Sequence, residues 1–306
     1  MKIAVLMDPL ETLTPKKDTT LALIRAAMAL GHAVWCFSPG AWFCQQEKVF
    51  ADIYQITADN QPGETRKAQP LNQMQLILMR HNPPVDAAYI YASFALDLLE
   101  KQGVQVINHP SSVRDLNEKF SILQFPTLIP PTLITAQRAP LHQFWQTHQH
   151  IILKPLHGMG GEGIFYLQPQ APNFFVIVEL LTGRGQRAIM AQKYIPAIQE
   201  KGDKRILMMH TEPVGYALAR IPAKGDLRGN LAAGATGQAV PLTERDYEIC
   251  RTVQPFLKQK RLDFVGLDVI GDYLTEMNVT SPTCLCEIEA QTGLSIAKDF
   301  WQFYQR

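Results

Sequence analysis

The sequence predicts an α/β protein that begins with a parallel sheet covered by helices, and three observations support this fold class. Aliphatic and β-branched runs alternate with helical patterns through the N-terminal third of the chain. The 306 residues are 46% hydrophobic and 19% charged, a balance typical of a globular protein with a sizeable core. No internal repeat or low-complexity tract interrupts the pattern. Alternation at this spacing favours parallel strands with helices on the faces of the sheet.

The elements of the N-terminal third are bounded by glycines and by a proline-rich segment. Both predicted helices end at a glycine, Gly31 or Gly103, and glycine is a common helix terminator. The proline-rich segment 126–140 indicates a boundary to the rest of the chain. In chain order, we predict strand 2–7, helix 19–30, strand 33–37, strand 76–79, helix 94–102 and strand 105–107.

The remaining two thirds of the chain have a different pattern, with a hairpin and long loops. The strand at 151–153 enters a glycine-rich segment that leaves through a strand at 164–167, which predicts a hairpin with a large flexible tip. We expect a helix to begin near Thr243, because Thr243 and Asp246 have the spacing of a capping box. The other expected elements are strands near 188–192 and 206–210 around a polar loop EKGDKR, an 18-residue loop at 220–237, strands within FVGLDVIG and YLTEMNV, and a final helix.

Composition and charge argue against several functional classes. The formal net charge of +1 gives no indication of a nucleic-acid-binding surface. The apolar run at the N-terminus is too short for a signal peptide. The longest uncharged stretch, 120–137, contains three prolines, so no membrane helix is expected. The five cysteines have no framework spacing, and we interpret them as free thiols of a cytoplasmic protein.

Three oxygen-bearing side chains near the C-terminus favour a magnesium site. Asp268 interrupts an apolar strand, and Glu276 and Asn278 are two residues apart in the next extended segment, so their side chains point to one face. Mg2+ is a hard cation that proteins usually hold with few carboxylates together with phosphate oxygens. Each residue alone is more often a solvated edge or turn residue. The three together, in so apolar a context, favour the metal.

A lysine before a glycine-rich hairpin predicts phosphate binding. Lys154 ends the strand and is followed at once by HGMGGEG. Glycines let backbone N–H groups approach phosphate oxygens, and a nearby lysine supplies the compensating charge. The segment is not a Walker A loop, because the G-K-[ST] ending is absent and a strand follows instead of a helix.

The long loop at 220–237 predicts an active-site lid. It contains four glycines together with Arg220, Lys224 and Arg228, and loops of this length without structure are often lids. A disordered surface excursion is the alternative. Arg205 begins the apolar strand after EKGDK and is expected to project into the same cleft.

At these residues the sequence resembles a known family. The segments ILKPLHGMGGEGIF, DKRILMM, ARIPAKGDLRGNLAAG and VGLDVIGDYLTEMNVTSPTC resemble the ordered motifs of bacterial glutathione synthetases, and MRHNPPVD and RDLNEK resemble that family's N-terminal motifs. The resemblance covers essentially the whole chain and implies an ATP-grasp fold preceded by an N-terminal parallel-sheet α/β domain. It implies three units: an N-terminal domain at 1–118, a lid subdomain with the glycine-rich hairpin at 119–190, and a C-terminal subdomain with the metal site and the mobile loop at 191–306.

The resemblance also implies roles for individual residues. Those expected to bind the nucleotide are Lys119 and Lys154 at the phosphates, Gly158, Gly160 and Gly161 folding over them, and Gln192, Lys193, Tyr194 and Ile195 at the adenine. The residues expected to be catalytic are Arg205, Arg220 and Arg228. Those expected to bind the metal are Asp268, Glu276 and Asn278. Those expected to contact the dipeptide are Ser281 and Thr283.

The chain departs from the family pattern at three places. His81-Asn82 stands where Lys-Asp is more usual, Thr236 stands where a lid arginine is common, and Cys286 stands at a commonly basic position. The first bears on dipeptide binding and the second on the lid. The third removes a basic group that could bind substrate carboxylates. None of the three removes a nucleotide or metal ligand.

The activity implied by the resemblance is the ATP-dependent joining of γ-glutamylcysteine to glycine. A free carboxylate has no good leaving group, so the dipeptide carboxylate would first be phosphorylated, and the amine of glycine would then attack the acyl phosphate. An arginine would stabilise the tetrahedral oxyanion, and a closed lid would keep water out. The family further implies Mg2+ (or Mn2+) as cofactor and a homodimer or homotetramer, and the composition indicates neither a nucleic-acid nor a membrane partner.

Three other functions are compatible with parts of the same pattern. The nucleotide motifs alone do not separate this activity from another ATP-grasp ligase, such as a D-alanine–D-alanine type or an amino-acid-adding enzyme. A non-catalytic nucleotide-binding regulator would be expected to have lost the metal residues, whereas Asp268, Glu276 and Asn278 are all present. A kinase acting on a small polar molecule would use the phosphate-binding residues without an amine acceptor.

Overall fold

A computed structural model describes residues 1–57, 60–158, 160–223, 225, 229, 231 and 234–305. Within these residues the chain forms four β-sheets with helices packed against them. No helix in these ranges is long and apolar enough to cross a bilayer.

The N-terminal region contains a parallel sheet and a small antiparallel sheet. Its strands are β1 (Lys2–Leu6), β2 (Ala33–Phe37), β3 (Trp42–Gln45), β4 (Lys48–Ile53), β5 (Arg66–Pro70), β6 (Leu76–Met79) and β7 (Gln105–Ile107). Its helices are α1 (Thr19–Ala29), α2 (Ala87–Lys101) and α3 (Pro110–Asp115), with 3-10 turns at Leu10–Thr12, Leu71–Gln73 and Ser121–Gln124. The first sheet is parallel, as the strand–helix alternation predicted, and its strand order is β2-β1-β6-β7.

Two features of this region differ from the sequence prediction. Helix α2 begins at Ala87 and not near Phe94, because Asp86 caps it by accepting a hydrogen bond of 2.9 Å from the Tyr89 amide. The antiparallel sheet β3-β4-β5 was not predicted. Its outer strands β3 and β5 are mostly exposed and lack the apolar alternation that predicts a strand.

The middle region forms an antiparallel sheet around the predicted hairpin. Its elements are β8 (Thr132–Thr135), α4 (Arg138–His148), β9 (Ile151–Pro155), β10 (Phe165–Leu167), α5 (Phe174–Thr182) and β11 (Ile189–Lys193). The strand order is β10-β9-β11-β8. Leu141, Ile151, Leu153 and Phe174 form a separate small core beneath this sheet. The hairpin β9-β10, with the glycine-rich segment as its tip, is therefore attached to its own compact unit.

The C-terminal region is built on a five-stranded antiparallel sheet, called the central sheet below. Its elements are α6 (Ile198–Lys201), β12 (Asp203–Met209), β13 (Glu212–Ile221), β14 (Thr236–Pro241), α7 (Glu244–Gln259), β15 (Phe264–Ile270), β16 (Tyr273–Asn278), α8 (Leu285–Thr292) and α9 (Ile296–Phe303). The strand order is β14-β13-β12-β15-β16. Helix α7 has the predicted capping box between Thr243 and Asp246.

Three expectations for this region were wrong in detail. The polar loop EKGDKR is the short helix α6 followed by the first residues of β12, because pairing with β13 and β15 extends the strand back to Asp203. The final helix is two helices, α8 and α9, separated at Gly293, which has φ +74°. The long loop is shorter than expected, because β13 continues to Ile221 and β14 begins at Thr236.

A buried asparagine joins the parallel sheet to the central sheet. Asn108 follows β7, and its side-chain amide donates to the carbonyls of Phe264 at 2.7 Å and Val279 at 2.8 Å. Its Oδ1 accepts from the Phe264 amide at 2.9 Å. These three bonds hold the carboxyl end of the parallel sheet against β15 and β16, where the acidic residues lie.

Candidate active site

The register of the central sheet places five charged side chains on one face. Asp203 and Arg205 are two residues apart on β12, so they share a face. Asp203 is paired with Arg220 of β13, and Arg205 is paired with Asp268 of β15. Asp268 is in turn paired with Glu276 of β16. Four strands thus bring Asp203, Arg205, Arg220, Asp268 and Glu276 together, although the chain separates them by up to 73 residues in sequence.

The arginines and aspartates on this face form a continuous ion-pair network. Arg205 Nη2 lies 3.0 Å from Asp268 Oδ2, and Arg220 Nη2 lies 3.0 Å from the same oxygen. Arg220 Nη2 also lies 2.6 Å from Asp203 Oδ2. Gly266 on β15 makes room for Arg205, since a Cβ there would lie 2.8 Å from Arg205 Cδ. Both arginines are therefore held in fixed positions on the sheet.

Burial and the neighbouring charges shift the two aspartate pKa values in opposite directions. Burial disfavours the Asp268 carboxylate, but Arg205 and Arg220 outweigh it and hold the pKa of Asp268 well below its usual value. Burial raises the pKa of Asp203 to about 7, although Arg220 opposes it, and the charge of Asp268 adds to the rise. Asp203 Oδ1 is buried and has no hydrogen-bond partner among the described residues. Asp203 is therefore an acceptor with one oxygen still available.

Two lysines approach Glu276 from the other side of the site. Lys119 Nζ lies 3.7 Å and Lys154 Nζ 4.0 Å from Glu276 Oε1. Burial opposes the charge on Lys119, but Glu276 and Glu118 outweigh it and raise the pKa of Lys119. Burial lowers the pKa of Lys154, and the charge of Lys119 adds to this effect despite Glu276. An anionic ligand bound here would offset the electrostatic repulsion between these two lysine cations.

The first of two clefts lies between the hairpin β9-β10 and the central sheet, and we call it cleft 1. Its volume is about 880 Å3, and it is enclosed by both lysines and the three predicted glycines Gly158, Gly160 and Gly161. Those glycines have φ values of +111°, +69° and +81°, which other residues rarely adopt. Its wall also contains the residues His157, Glu162, Gln192, Lys193, Tyr194, Ile195, Asp203, Asp268 and Glu276.

The second cleft adjoins the first and has a volume of about 1360 Å3. We call it cleft 2. It shares Gly158, Gly160 and Glu276 with cleft 1, so the two clefts meet beneath the glycine-rich hairpin. Further lining residues are Asn82, Glu118, Arg205, Arg220, Asn278, Ser281, Thr283 and Cys284. The ion-pair network lies at the junction of the two clefts.

Arg80 and Asn82 of the N-terminal region fix the far wall of cleft 2. Arg80 is buried and donates from Nη2 to the Pro282 carbonyl at 2.8 Å. Ser281 Oγ donates to Asn82 Oδ1, and the Asn82 amide donates to Asp8 at 3.0 Å. The segment after β16 is thus held by residues that follow β6. Asn82, one of the expected departures from the family pattern, contacts the predicted dipeptide residue Ser281 directly.

The structure brings the predicted residues into the two clefts in two groups. Lys119, Lys154, the three glycines and the hinge residues 192–195 line cleft 1, while Ser281 and Thr283 line cleft 2. Asp268 lines cleft 1, Asn278 lines cleft 2 and Glu276 lines both. Arg205 and Arg220 lie at the junction, whereas Arg228 lies outside the described residues.

The oxygen ligands of the predicted metal suit Mg2+, although their charges are already engaged. Two carboxylates and the amide oxygen of Asn278 form a hard donor set on two paired strands, and Asn278 Nδ2 faces the Gly266 carbonyl at 3.5 Å. Among the described residues, no group of three His, Cys, Asp or Glu side chains is arranged to hold a metal. Phosphate oxygens would have to complete the coordination, as is usual for Mg2+.

Sequence reasoning missed Asp203, Glu118 and Arg80. Asp203 lies in the quoted segment DKRILMM, and its spacing of two from Arg205 was the available indication that the two share a face. Glu118 precedes Lys119 and lies 2.7 Å from its Nζ. Arg80 had no local indication of its role, because its contact with Pro282 spans 202 residues of sequence.

Comparison with known proteins relates the whole chain to one family. Residues 1–114 match the family model for the prokaryotic glutathione synthetase N-terminal domain, and residues 118–293 match the model for the ATP-grasp domain of the same enzymes. Glutathione synthetase of Coxiella burnetii is 43% identical over 310 residues, covering 100% of this chain and 96% of the relative. Glutathione synthetase of Escherichia coli (strain K12) is 44% identical, covering 97% and 95%, and that of Pseudomonas putida is 46% identical, with the same coverage.

Solved structures with a similar fold are more distant in sequence. D-cycloserine synthetase DcsG has a TM-score of 0.70 at 13% identity, covering 99% of this chain and 98% of that chain. The ATP-grasp ligase PsnB, solved with a minimal precursor, Mg and ADP, has a TM-score of 0.64 at 14% identity and the same coverage. At these identities the similarity establishes the ATP-grasp fold alone.

Proposed function

The chain belongs to the prokaryotic glutathione synthetase family and is an ATP-dependent ligase of the ATP-grasp fold, and we propose that its two clefts divide the reaction between nucleotide and dipeptide. As a glutathione synthetase it joins γ-glutamylcysteine to glycine, with conversion of ATP to ADP and phosphate. In this proposal ATP occupies cleft 1 and γ-glutamylcysteine occupies cleft 2. The observation that carries the proposal is the ion-pair network at their junction, because a phosphoryl group passing between the clefts must cross it.

The proposed nucleotide contacts follow from the walls of cleft 1. Lys119 and Lys154 hold the phosphates, since both cations are buried side by side and gain from an added anion. The glycine-rich hairpin covers the phosphates with backbone N–H groups. Asp203 accepts hydrogen bonds from the ribose hydroxyls through its unpaired Oδ1. The adenine lies against residues 192–195, where β11 leaves the middle sheet.

The chemical step takes place between the two arginines and Glu276. The cysteinyl carboxylate of the dipeptide attacks the terminal phosphorus of ATP, the bond to ADP breaks, and an acyl phosphate forms. Arg205 and Arg220 are preorganised by Asp268 and Asp203, so they stabilise the transferred charge without reorganising. The amine of glycine then attacks the acyl carbon, and phosphate leaves. The arginines stabilise the tetrahedral oxyanion, and the loop after β13, including Arg228, excludes water from the acyl phosphate.

A divalent cation fits the donor set described above. Asp268, Glu276 and Asn278 are the residues that would hold Mg2+, or Mn2+, and the cation would neutralise charge on the nucleotide phosphates. PsnB, which shares the fold, was solved with Mg and ADP. We further propose that residues 1–118, 119–190 and 191–306 act as the N-terminal domain, the lid subdomain and the metal-bearing subdomain of a cytoplasmic homodimer or homotetramer.

Measuring ADP release with different substrate combinations tests the function. Turnover that requires both γ-glutamylcysteine and glycine supports the ligase. ADP release with the dipeptide alone would indicate a kinase, and ADP release with another carboxylate–amine pair only would indicate a different ligase. Binding of ATP without any turnover would indicate a regulator.

A lysine variant tests the assignment of the nucleotide cleft. Lys154→Met removes a buried cation that faces Glu276, and we expect ATP affinity to fall strongly while the midpoint of thermal unfolding changes little. Lys154→Arg should restore affinity only in part, because the planar guanidinium does not reproduce a compact ammonium. Unchanged ATP affinity in the Met variant, measured by titration calorimetry, would remove Lys154 from the site.

A further inference from the structure

His157 lies at the entrance to the glycine-rich hairpin, in the wall of cleft 1. It follows the end of β9 by two residues and directly precedes Gly158, the first of the hairpin glycines with positive φ. The wall that contains His157 also contains Lys154 and Gly160. The sequence motif assigned phosphate binding to the lysine and the glycines and left this histidine without a role.

The imidazole of His157 has no hydrogen-bond or ion-pair partner among the described residues, in contrast to two other histidines of the chain. His150 lies 2.6 Å from the Tyr166 hydroxyl, and His109 lies 3.0 Å from Glu100. His157 is exposed and forms no hydrogen bond or ion pair with any other described residue. Its ring nitrogens are therefore available to a ligand in the cleft, without first breaking a contact within the protein.

The charges that line cleft 1 would favour a hydrogen-bond donor at His157 when an anionic ligand binds. Four carboxylates belong to its wall, those of Glu162, Asp203, Asp268 and Glu276, against the lysine cations. Arg205 and Arg220 engage the two aspartates, but Glu162 lies on the hairpin itself and has no ion-pair partner among the described residues. A polyanionic ligand beneath the hairpin would meet this carboxylate, so a further N–H donor there improves its binding.

We propose that His157 donates a ring N–H to a phosphate oxygen of the bound nucleotide and is a further phosphate-binding residue of this chain. The inference rests on the proposed placement of ATP in cleft 1. The contact forms at an exposed position, so it adjusts nucleotide affinity and does not support the fold. Its contribution depends on the phosphates and not on the base, which separates it from a general effect on the shape of the cleft.

A series of ligands and variants tests this contact by titration calorimetry in one Mg2+-containing buffer. His157→Leu removes the donor and keeps apolar bulk, and we expect ATP affinity to fall about tenfold, within the range for a hydrogen bond to a charged group. ADP affinity should also fall, by no more than ATP affinity does. The affinity for adenosine, which has no phosphate, should not change. His157→Lys should retain ATP affinity within about threefold of the original protein, since it restores a donor to phosphate.

A matched variant on the same hairpin provides the control. Glu162→Gln removes a carboxylate from the same wall, so ATP affinity should stay the same or rise. Equal losses for ATP and adenosine in His157→Leu, or unchanged ATP affinity, would overturn the inference while leaving the ligase intact. Absence of ATP binding by the unsubstituted protein would instead overturn the placement of the nucleotide. Unchanged thermal unfolding of each variant confirms that differences in affinity arise in the cleft.

Discussion

Two buried polar regions of this molecule are built in opposite ways. On the face of the central sheet, Arg205 and Arg220 are paired with Asp268 and Asp203. At the carboxyl end of the parallel sheet, Arg80 Nη1, both ring nitrogens of His81 and the Tyr89 hydroxyl are buried without hydrogen-bond partners in the described part of the chain. The rings of His81 and Tyr89 lie 3.8 Å apart, between centroids, so they pack as apolar surfaces.

Because one region is paired and the other is not, the two regions should respond differently to amino-acid substitution and to protonation. Removing one partner from a buried ion pair leaves an uncompensated charge, and this typically costs several kcal/mol. An unpaired buried polar atom has already lost its hydration in the folded state, so its removal can be neutral or stabilising. The paired region should therefore be sensitive to substitution, and the unpaired region should be sensitive to protonation.

The largest effect is expected from breaking the paired region at its centre. Asp268→Ala leaves Arg205 and Arg220 without their shared carboxylate, so the free energy of unfolding should fall by about 3–5 kcal/mol. Chemical denaturation measures this change. Asp272→Ala, at an exposed position just after the same strand, is the control and should have little effect. A loss below about 1 kcal/mol in the Asp268 variant would show that the network does not hold the arginines.

A second substitution separates function from stability on the same face. Glu276 lies 3.7 Å and 4.0 Å from its two lysines, so it is less tightly engaged than Asp268. Glu276→Gln should lower the free energy of unfolding by less than Asp268→Ala and leave the protein folded, while turnover should fall by about 10²–10³-fold, equivalent to roughly 3–4 kcal/mol of barrier. Steady-state kinetics at saturating Mg2+ measures the effect. Near-normal turnover in the folded variant would exclude Glu276 from the reaction.

In the unpaired region, burial of His81 should make the free energy of unfolding depend on pH. Burial lowers the pKa of His81 to about 4, although Asp86 opposes it, whereas an unfolded histidine has a pKa of about 6.5. Between these values the unfolded state binds more protons, so stability contributed by neutral His81 is present above about pH 6.5 and is lost as pH falls through 4.

The variant His81→Leu isolates this contribution. The unfolding free energy of the original protein, minus that of the variant, should decrease by up to about 3 kcal/mol between pH 7.5 and pH 4. Urea titrations of both proteins across this range provide the measurement. A difference that is independent of pH would mean that His81 is hydrated or partnered in solution.

The smallest effect is expected from removing an unpaired hydroxyl. Tyr89→Phe keeps the ring contact with His81 and deletes a buried oxygen without a partner, so stability should stay unchanged or rise by up to about 1 kcal/mol. The matched control is Tyr304→Phe, because the Tyr304 hydroxyl donates to Asp263 at 2.6 Å and its loss should destabilise. A clear loss of stability in Tyr89→Phe would show that its hydroxyl is satisfied after all.

Local sequence was sufficient where the structure depends on local chemistry. The parallel sheet, the helix cap of Thr243 and Asp246, and the hairpin with its glycines were all predicted, because period, capping and turn preferences act over a few residues. The exposed strands of the small antiparallel sheet were missed, since they have no buried face to impose a pattern. The start of α2 was placed too late, at Phe94, whereas its N-cap is Asp86.

The sequence by itself determined the family and the fold class, and it predicted many of the residues that line the two clefts. Only the tertiary structure decided that Asp203 faces Arg220, that Asp268 is shared by two arginines, and that Arg80 supports the segment after β16. Such pairings depend on the register between strands and on packing between regions far apart in sequence. Register is set by the fit of the whole sheet, and a one-residue shift would turn each of these side chains to the other face.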